Sequence, residues 1–492
     1  MANRVTVDVD RTIAPIDRNV FGGFAEHLGR CIYGGIYEPG SPDADANGLR
    51  RDVLAALTRL GMPVMRYPGG NFVSGYRWRD GVGPARERPT RMDLAWHDLE
   101  PNSFGTNEFM DFCRVLGTEP YLVVNAGDGD MREARDWLEY CNGSNDTTLV
   151  KLRKQHGYEA PHGVRYWGIG NEVDGPWQIG YKTPEEYARV YTEYAKVMRW
   201  TDPSIKLLAS AVSLWSPSWV ERVQLLMEHA AAHIDYMAIH WYVGNDRERG
   251  YRDDDFESYM ALSERIEDTL SGTEGIIRAM SSALQLERDI PIAVDEWNVW
   301  YRTGAAGKLE ERYNLEDALV VAMHFNAFIR HAKSVKMANI AQIVNVIAPI
   351  MTTPEGVVLQ SIFHPFELFS RTCGDTALDV NWSGDTFSTP EFAALRVLDV
   401  SATLGSSDKK LTVYLVNRSR DEIGETTIEL TRGRFKGRAR VSVVNGPDIK
   451  SINTVETPDA VDVREQTVGA DGSSFVMELE PHSFTVFECD LG

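Results

Sequence analysis

Tyr166-Trp167-Gly168-Ile169-Gly170-Asn171-Glu172 is an apolar run that stops abruptly at an amide and a carboxylate. A second run, Ile292-Ala293-Val294-Asp295-Glu296-Trp297, ends in the same way about 120 residues later. Continuous apolar runs of this length read as strands buried on both faces, the signature of a parallel sheet. Six further runs complete a set of eight, at 21–27, 63–70, 120–127, 164–172, 205–211, 235–242, 290–297 and 337–349. Stretches with helical spacing lie between them, such as Val53, Leu57 and Leu60, or Tyr187, Val190, Tyr191, Tyr194 and Val197. Eight strand–helix units predict a closed (β/α)8 TIM barrel of the α/β class.

After about Ser370 the texture changes to short alternating strands at 411–415, 440–443, 475–477 and 484–487, separated by turns rich in Gly, Asp, Asn and Ser. This pattern predicts a C-terminal antiparallel β-sandwich, jelly-roll-like. Residues 4–9 alternate as well and are expected to pair into that sandwich. The expected division is 1–17 for the strand that joins the sandwich, 18–372 for the catalytic barrel and 373–492 for the C-terminal domain.

The chain has 492 residues and a net charge of −21, so nucleic acid and anionic membrane surfaces, which would repel it, are not expected partners. No run approaches the ~20 apolar residues of a membrane span, and the first 18 residues lack the apolar core of a secretory signal. The five cysteines show no metal-ligand spacing, and the expected compartment is the reducing cytoplasm.

Chemistry in such a barrel sits at the C-terminal strand ends. Those ends carry Glu26 and His27, Arg66 and Asn71, Asn125, Asn171 and Glu172, His240 and Tyr242, Glu296, then Gln342 and Asn345. Amides and carboxylates bind hydroxyls, and the nearby Trp167, Trp241 and Trp297 are expected to pack on sugar faces. Glycoside cleavage needs one carboxyl to protonate the leaving oxygen and another at the anomeric carbon. Glu172 and Glu296 fit these roles, with the charge of Glu296 expected to keep Glu172 protonated. Asp295 is expected on the opposite face of its strand, in a structural role. Arg66 either joins the site or neutralises Glu26. Pro68-Gly69-Gly70 forms a tight turn that lets Asn71 reach the pocket. The acidic run at 252–255 reads as a solvated loop and not a calcium site.

The segments 21–30, 66–76, 167–172 with 174–180, 240–242, 295–298 and 339–346 resemble glycoside hydrolase family 51, the retaining α-L-arabinofuranosidases. The resemblance runs in family order from Phe21 to about Phe369. It implies Glu172 as acid/base and Glu296 as nucleophile. Glu26, Arg66, Asn71, Asn171, His240, Tyr242 and Gln342 would hold the furanose, and Trp96 would shape the leaving-group side. It also implies no metal or other cofactor and a homo-oligomer, often a hexamer. Two loops depart from the family pattern: 298–310 is shorter, and 246–255 carries extra charge. The expected activity is exo-cleavage of terminal arabinofuranosyl residues from arabino-oligosaccharides and arabinoxylan fragments. Rival readings are a barrel glycosidase for another sugar, such as an endo-glucanase, xylosidase or β-D-galactofuranosidase, and a non-catalytic sugar-binding protein.

Overall fold

The computed structural model describes residues 3–244, 255–301, 309–407 and 409–492. Eight parallel strands close into a barrel: β1 Gly22–Phe24, β2 Val64–Tyr67, β3 Glu119–Val124, β4 Tyr166–Ile169, β5 Lys206–Val212, β6 Tyr236–Val243, β7 Ile292–Val299 and β8 Val335–Ala341. Each lies within or across one of the eight apolar runs. The runs are apolar throughout because one face of each strand packs inside the barrel and the other packs under helices. All eight residues of β7 are buried. Inside, a separate apolar cluster that includes Val64, Tyr121, Tyr166, Leu208, Ala293 and Met337 fills the barrel below the polar strand ends.

The helices follow from local signals. Arg51–Leu60 buries Val53, Leu57 and Leu60 and stops at Gly61, whose φ of 59° suits glycine. Pro184–Thr201 starts with a Thr183/Glu186 capping box and a proline in its first turn, and buries Tyr187, Tyr191 and Tyr194. Leu315–Arg330 differs from these, because every residue from Leu315 to Ile329 is buried. A helix buried on every face must be covered on all sides. The barrel covers one side and the smaller unit the other.

That unit is two packed sheets. The four-stranded sheet runs Asn381–Ser383, Asn3–Val7, Gly424–Leu430, Ser474–Leu479. Asn3–Val7 therefore sits inside the smaller unit, and its pairing with Gly424–Leu430 is parallel, an exception to an otherwise antiparallel architecture. The seven-stranded sheet has Lys410–Asn417 and Ser483–Leu491 near its middle. Alternation along Lys410–Asn417 sends Leu411, Val413 and Leu415 into the sandwich and Tyr414 and Val416 towards the barrel. Phe369, from the helix Phe363–Thr372 that follows β8, stacks on Tyr414 at 4.1 Å and on Phe484 at 5.1 Å. Asn326 of the buried helix donates to Asp399 and accepts from Ser401.

Phe369 joins both units, so Phe369→Ala is expected to lower unfolding stability by about 3–5 kcal/mol. Urea denaturation followed by tryptophan fluorescence measures this. A loss below about 1 kcal/mol would show that the interface relaxes around the cavity.

Candidate active site

The polar layer above the apolar plug is built around Arg66 at the end of β2. Its side chain is 1% exposed. One amino group donates to Glu296 Oε2 at 2.7 Å and to the Asp295 carbonyl at 3.0 Å, and the other to Asn171 Oδ1 at 2.5 Å. The Phe24 ring lies under the guanidinium at 4.4 Å. Burial opposes this charge, but Asp295 and Glu296 outweigh it and hold Arg66 more firmly protonated than usual. Arg66 thus serves Glu296, and the alternative pairing with Glu26 is not the one the fold makes.

Glu296 is held at both oxygens, by Arg66 and by the Tyr242 hydroxyl at 2.8 Å. His240 Nδ1 lies 3.0 Å from Glu172 Oε1 and 3.4 Å from Glu296 Oε2, while its Nε2 lies 3.4 Å from Asp295 Oδ1. Burial disfavours a charged His240, yet Glu296, Asp295 and Glu172 together push it up to about 10. His240 and Tyr242 share one face of β6, as their spacing of two requires.

Glu172 follows β4 through Gly170, with φ of 77° at Gly170 and 44° at Glu172 itself. A glutamate in the left-handed region is rare and costs on the order of 1 kcal/mol. Here it sets the carboxylate against His240 and the Trp177 Nε1, which donates at 2.7 Å. Asp174 ties this loop to the end of β5 by accepting from Ser213 and Leu214.

Glu26 forms a second cluster. It accepts from the Phe72 amide at 3.0 Å, Trp96 Nε1 at 3.0 Å and Gln342 Nε2 at 2.8 Å. Burial first, and then the charge of Glu296, push its carboxyl up to about 8 against these donors. Gly70 explains the close approach: a Cβ there would lie 2.5 Å from both Glu26 carboxylate oxygens. The turn also brings Asn71 Oδ1 to 3.4 Å from Asn171 Nδ2. Gln342 Oε1 is buried and has no partner among the described residues, leaving an acceptor for a hydroxyl.

Two hydrogen-bonded clusters thus share the polar layer: Arg66, Asn71, Asn171, Glu172, His240, Tyr242 and Glu296 in one, and Glu26, Trp96 and Gln342 in the other. Trp297 is part of neither. It is fully buried outside the barrel, stacked on His324 at 5.7 Å and edge-on to Phe325 and Phe328. With Glu296 inward, strand alternation sends Trp297 outward. Trp167 and Trp241 face the helices likewise, against Trp137 and His324.

Asp295 also departs from expectation. It accepts from the Tyr121 hydroxyl at 2.7 Å and meets His240 inside the barrel. The β7 ladder explains this. Val294 and Trp297 pair with Ala338 and Ile340 of β8, and Ala293 and Glu296 pair with Ala238 and His240 of β6, so β7 carries one extra residue. A bulge turns two successive carboxylates inward. Trp177, half exposed at 52%, is a site residue that strand-end reasoning missed. The Asp174-Gly175-Pro176-Trp177 turn right after Asn171-Glu172 was its only signal. Asn125 binds its own loop at Gly127 and Gly129, and Asn345 binds Thr352. The charged stretch 246–255 lies outside the described residues except for Asp255, which caps a helix through Ser258. Of the loop 298–310, residues 302–308 lie outside them too.

Glu172, His240 and Glu296 each place one ligand-type atom within 4.8 Å of the others. His240 Nδ1 already lies within reach of both Glu172 and Glu296, with Arg66 adding positive charge alongside. A cation would have to sit beside the Arg66 guanidinium and a positively charged His240, which repel it.

Residues 56–260 match a family model described as the alpha-L-arabinofuranosidase 1 domain, and residues 295–483 match the alpha-L-arabinofuranosidase C-terminal domain. The chain is 39% identical to the intracellular exo-alpha-(1->5)-L-arabinofuranosidase 1 of Bacillus subtilis, over 92% of this chain and 91% of that one. It is similar to the crystal structure of the Thermotoga maritima alpha-L-arabinofuranosidase arabinose complex, with TM-score 0.91, 37% identity and 99% of each chain covered. A family 51 alpha-L-arabinofuranosidase from Bifidobacterium longum gives TM-score 0.94 at 31% identity, again over 99% of each chain.

The raised His240 value has a consequence for stability. A folded-state pKa near 10 against about 6.5 unfolded contributes stability that is full below pH 6.5 and lost as pH rises towards 10. Wild type should therefore exceed His240→Gln in unfolding free energy most at pH 6, with the gap narrowing by pH 10. A gap independent of pH would show that His240 is neutral in the fold.

Proposed function

The chain belongs to glycoside hydrolase family 51, the α-L-arabinofuranosidases, and within that family we propose that it is an exo-acting, retaining enzyme using Glu172 and Glu296. The observation that carries the reading is the facing pair itself: a carboxylate oxygen of each lies within 4.8 Å of the other. Carboxyl groups about 5–5.5 Å apart leave no room for an intervening water, so the second attacks the sugar directly.

Glu296, gripped at both oxygens by Arg66 and Tyr242, is aimed along one line and attacks the anomeric carbon. Glu172 protonates the departing glycosidic oxygen as that C–O bond breaks, giving an arabinosyl ester of Glu296. Glu172, now ionised, takes a proton from water, which attacks the same carbon and frees Glu296. Two inversions return arabinose with its original configuration. Glu26, Asn71, Asn171 and Gln342 would receive the hydroxyls of the terminal furanose. Trp177, half exposed beside Glu172, stands where the leaving group departs.

The substrates proposed are terminal α-L-arabinofuranosyl residues of arabino-oligosaccharides and arabinoxylan fragments. A relative named as intracellular supports a cytoplasmic site of action on short oligosaccharides. A homo-oligomer, hexameric as the family resemblance implies, is part of the same proposal.

The test is nitrophenol release from 4-nitrophenyl α-L-arabinofuranoside by wild type and Glu296→Ala, with NMR of the first sugar formed. Release by wild type alone, with the α-anomer appearing first, is expected. No release from a folded wild type would sink the arabinofuranoside assignment, and β-anomer first would sink retention. Glu172→Ala should slow cleavage of arabino-oligosaccharides by about 100- to 10,000-fold and the release of nitrophenol that accompanies arabinosylation of Glu296 far less, since nitrophenol leaves without help. Prior dialysis against EDTA should leave the wild-type rate unchanged; a loss restored by a divalent metal would point instead to the His240 group as a metal site.

A further inference from the structure

Beyond β7 the chain is held by a carboxylate for which the chemistry above has no use. Asp317 is fully buried in the first turn of Leu315–Arg330. Among the described residues it pairs with no cation. Oδ1 accepts from the Tyr259 hydroxyl at 2.7 Å and from the Tyr301 hydroxyl, and Oδ2 accepts from the Asn314 amide at 2.8 Å. Its neighbour Glu316 is the one tied to Lys450. Burial pushes the Asp317 carboxyl up to about 7. An ionisable group buried without a counter-charge is unfavourable, and a helix start does not require it, because neutral side chains cap helices as well.

The tyrosines show what this carboxylate holds. Tyr259 lies on Phe256–Ala261, the helix that follows β6. Tyr301 lies just past the end of β7, beside Trp300. The Trp300 amide donates to the Val243 carbonyl at 2.8 Å, and its ring stands edge-on to Tyr242 at 5.5 Å. Tyr242 in turn donates to Glu296. Tyr313, just before the same helix, donates its hydroxyl to the Val299 carbonyl at 2.6 Å. The ends of β6 and β7, which carry Tyr242 and Glu296, are thereby pinned to one helix N-terminus.

We propose that Asp317 is a positioning residue for the nucleophile, acting through Tyr301 and Trp300 on the Tyr242 ring that aims Glu296. The proposal rests on the assignment of Glu296 made above. Asp317 touches no sugar; it sets the direction of a group that does.

The test is a double-mutant cycle in the full chain, with Tyr301→Phe, Tyr242→Phe and the pair assayed on 4-nitrophenyl α-L-arabinofuranoside. Tyr301→Phe removes one hydroxyl from the clamp and leaves the Asn314–Asp317 cap in place. It should lower kcat about 10-fold with little change in KM, and that loss should shrink to under about 2-fold in the Tyr242→Phe background. Asp317→Asn, if it folds, should show the same kcat loss. Equal losses in both backgrounds, or a lower melting temperature with kcat unchanged, would overturn the proposal and leave Asp317 as helix support alone. Glu296→Ala runs alongside. If it is inactive while the cycle is additive, only the clamp falls; if it is active, both assignments fall together.

Discussion

A guanidinium shut away from water must be matched by negative charge, and the interior of this barrel is arranged around that need. Arg66 takes one carboxylate on its inner side and one on its outer side, Asp295 and Glu296. Breaking a buried pair of this kind costs roughly 3–5 kcal/mol, because the survivor stays charged without water. The bulge in β7 follows from the same constraint. A regular strand would present only one of two neighbouring residues to Arg66, and the extra residue presents both. Asp295 then braces Tyr121 and His240 below, while Glu296 stays at the mouth. Structural charge balance and reactive charge are consecutive residues on one strand.

The eight strands could be read in the sequence because burial on both faces leaves no room for polar residues except at the ends. A polar residue closing such a run either lines the site, as Glu26, Arg66, Glu172, His240, Glu296 and Gln342 do, or ties down a neighbouring loop, as Asn125 and Asn345 do. Three things could not be read this way. The β7 bulge has no composition of its own, so the inward turn of Asp295 emerged only from the pairing of β7 with its neighbours. Trp297 reads as a pocket residue because tryptophan suits sugars, although parity from Glu296 points it outward. Trp177 lies on a loop, where no periodicity reports direction. The partner of Arg66 was equally hidden, since Glu26 and Glu296 are both carboxylates at nearby strand ends.

The barrel depends on the smaller unit for cover. Tyr414 and Phe484 on one face of the seven-stranded sheet complete the packing around Phe369, and Asp399 and Ser401 satisfy Asn326 on a helix with no wet side. The same helix begins at Asp317. Its position is therefore felt at both ends, by the sandwich along its length and by the strand ends at its start.

The strand order of the four-stranded sheet also bears on how this chain comes off the ribosome. Asn3–Val7 pairs with Gly424–Leu430, which is translated about 420 residues later. At ~5–20 residues per second, the early strand waits roughly 20–80 s for a partner. The apolar helix Leu315–Arg330 is likewise uncovered until Leu398–Leu404 has been made. The sandwich therefore cannot close until nearly all of the chain has emerged, and one side of that helix waits with it.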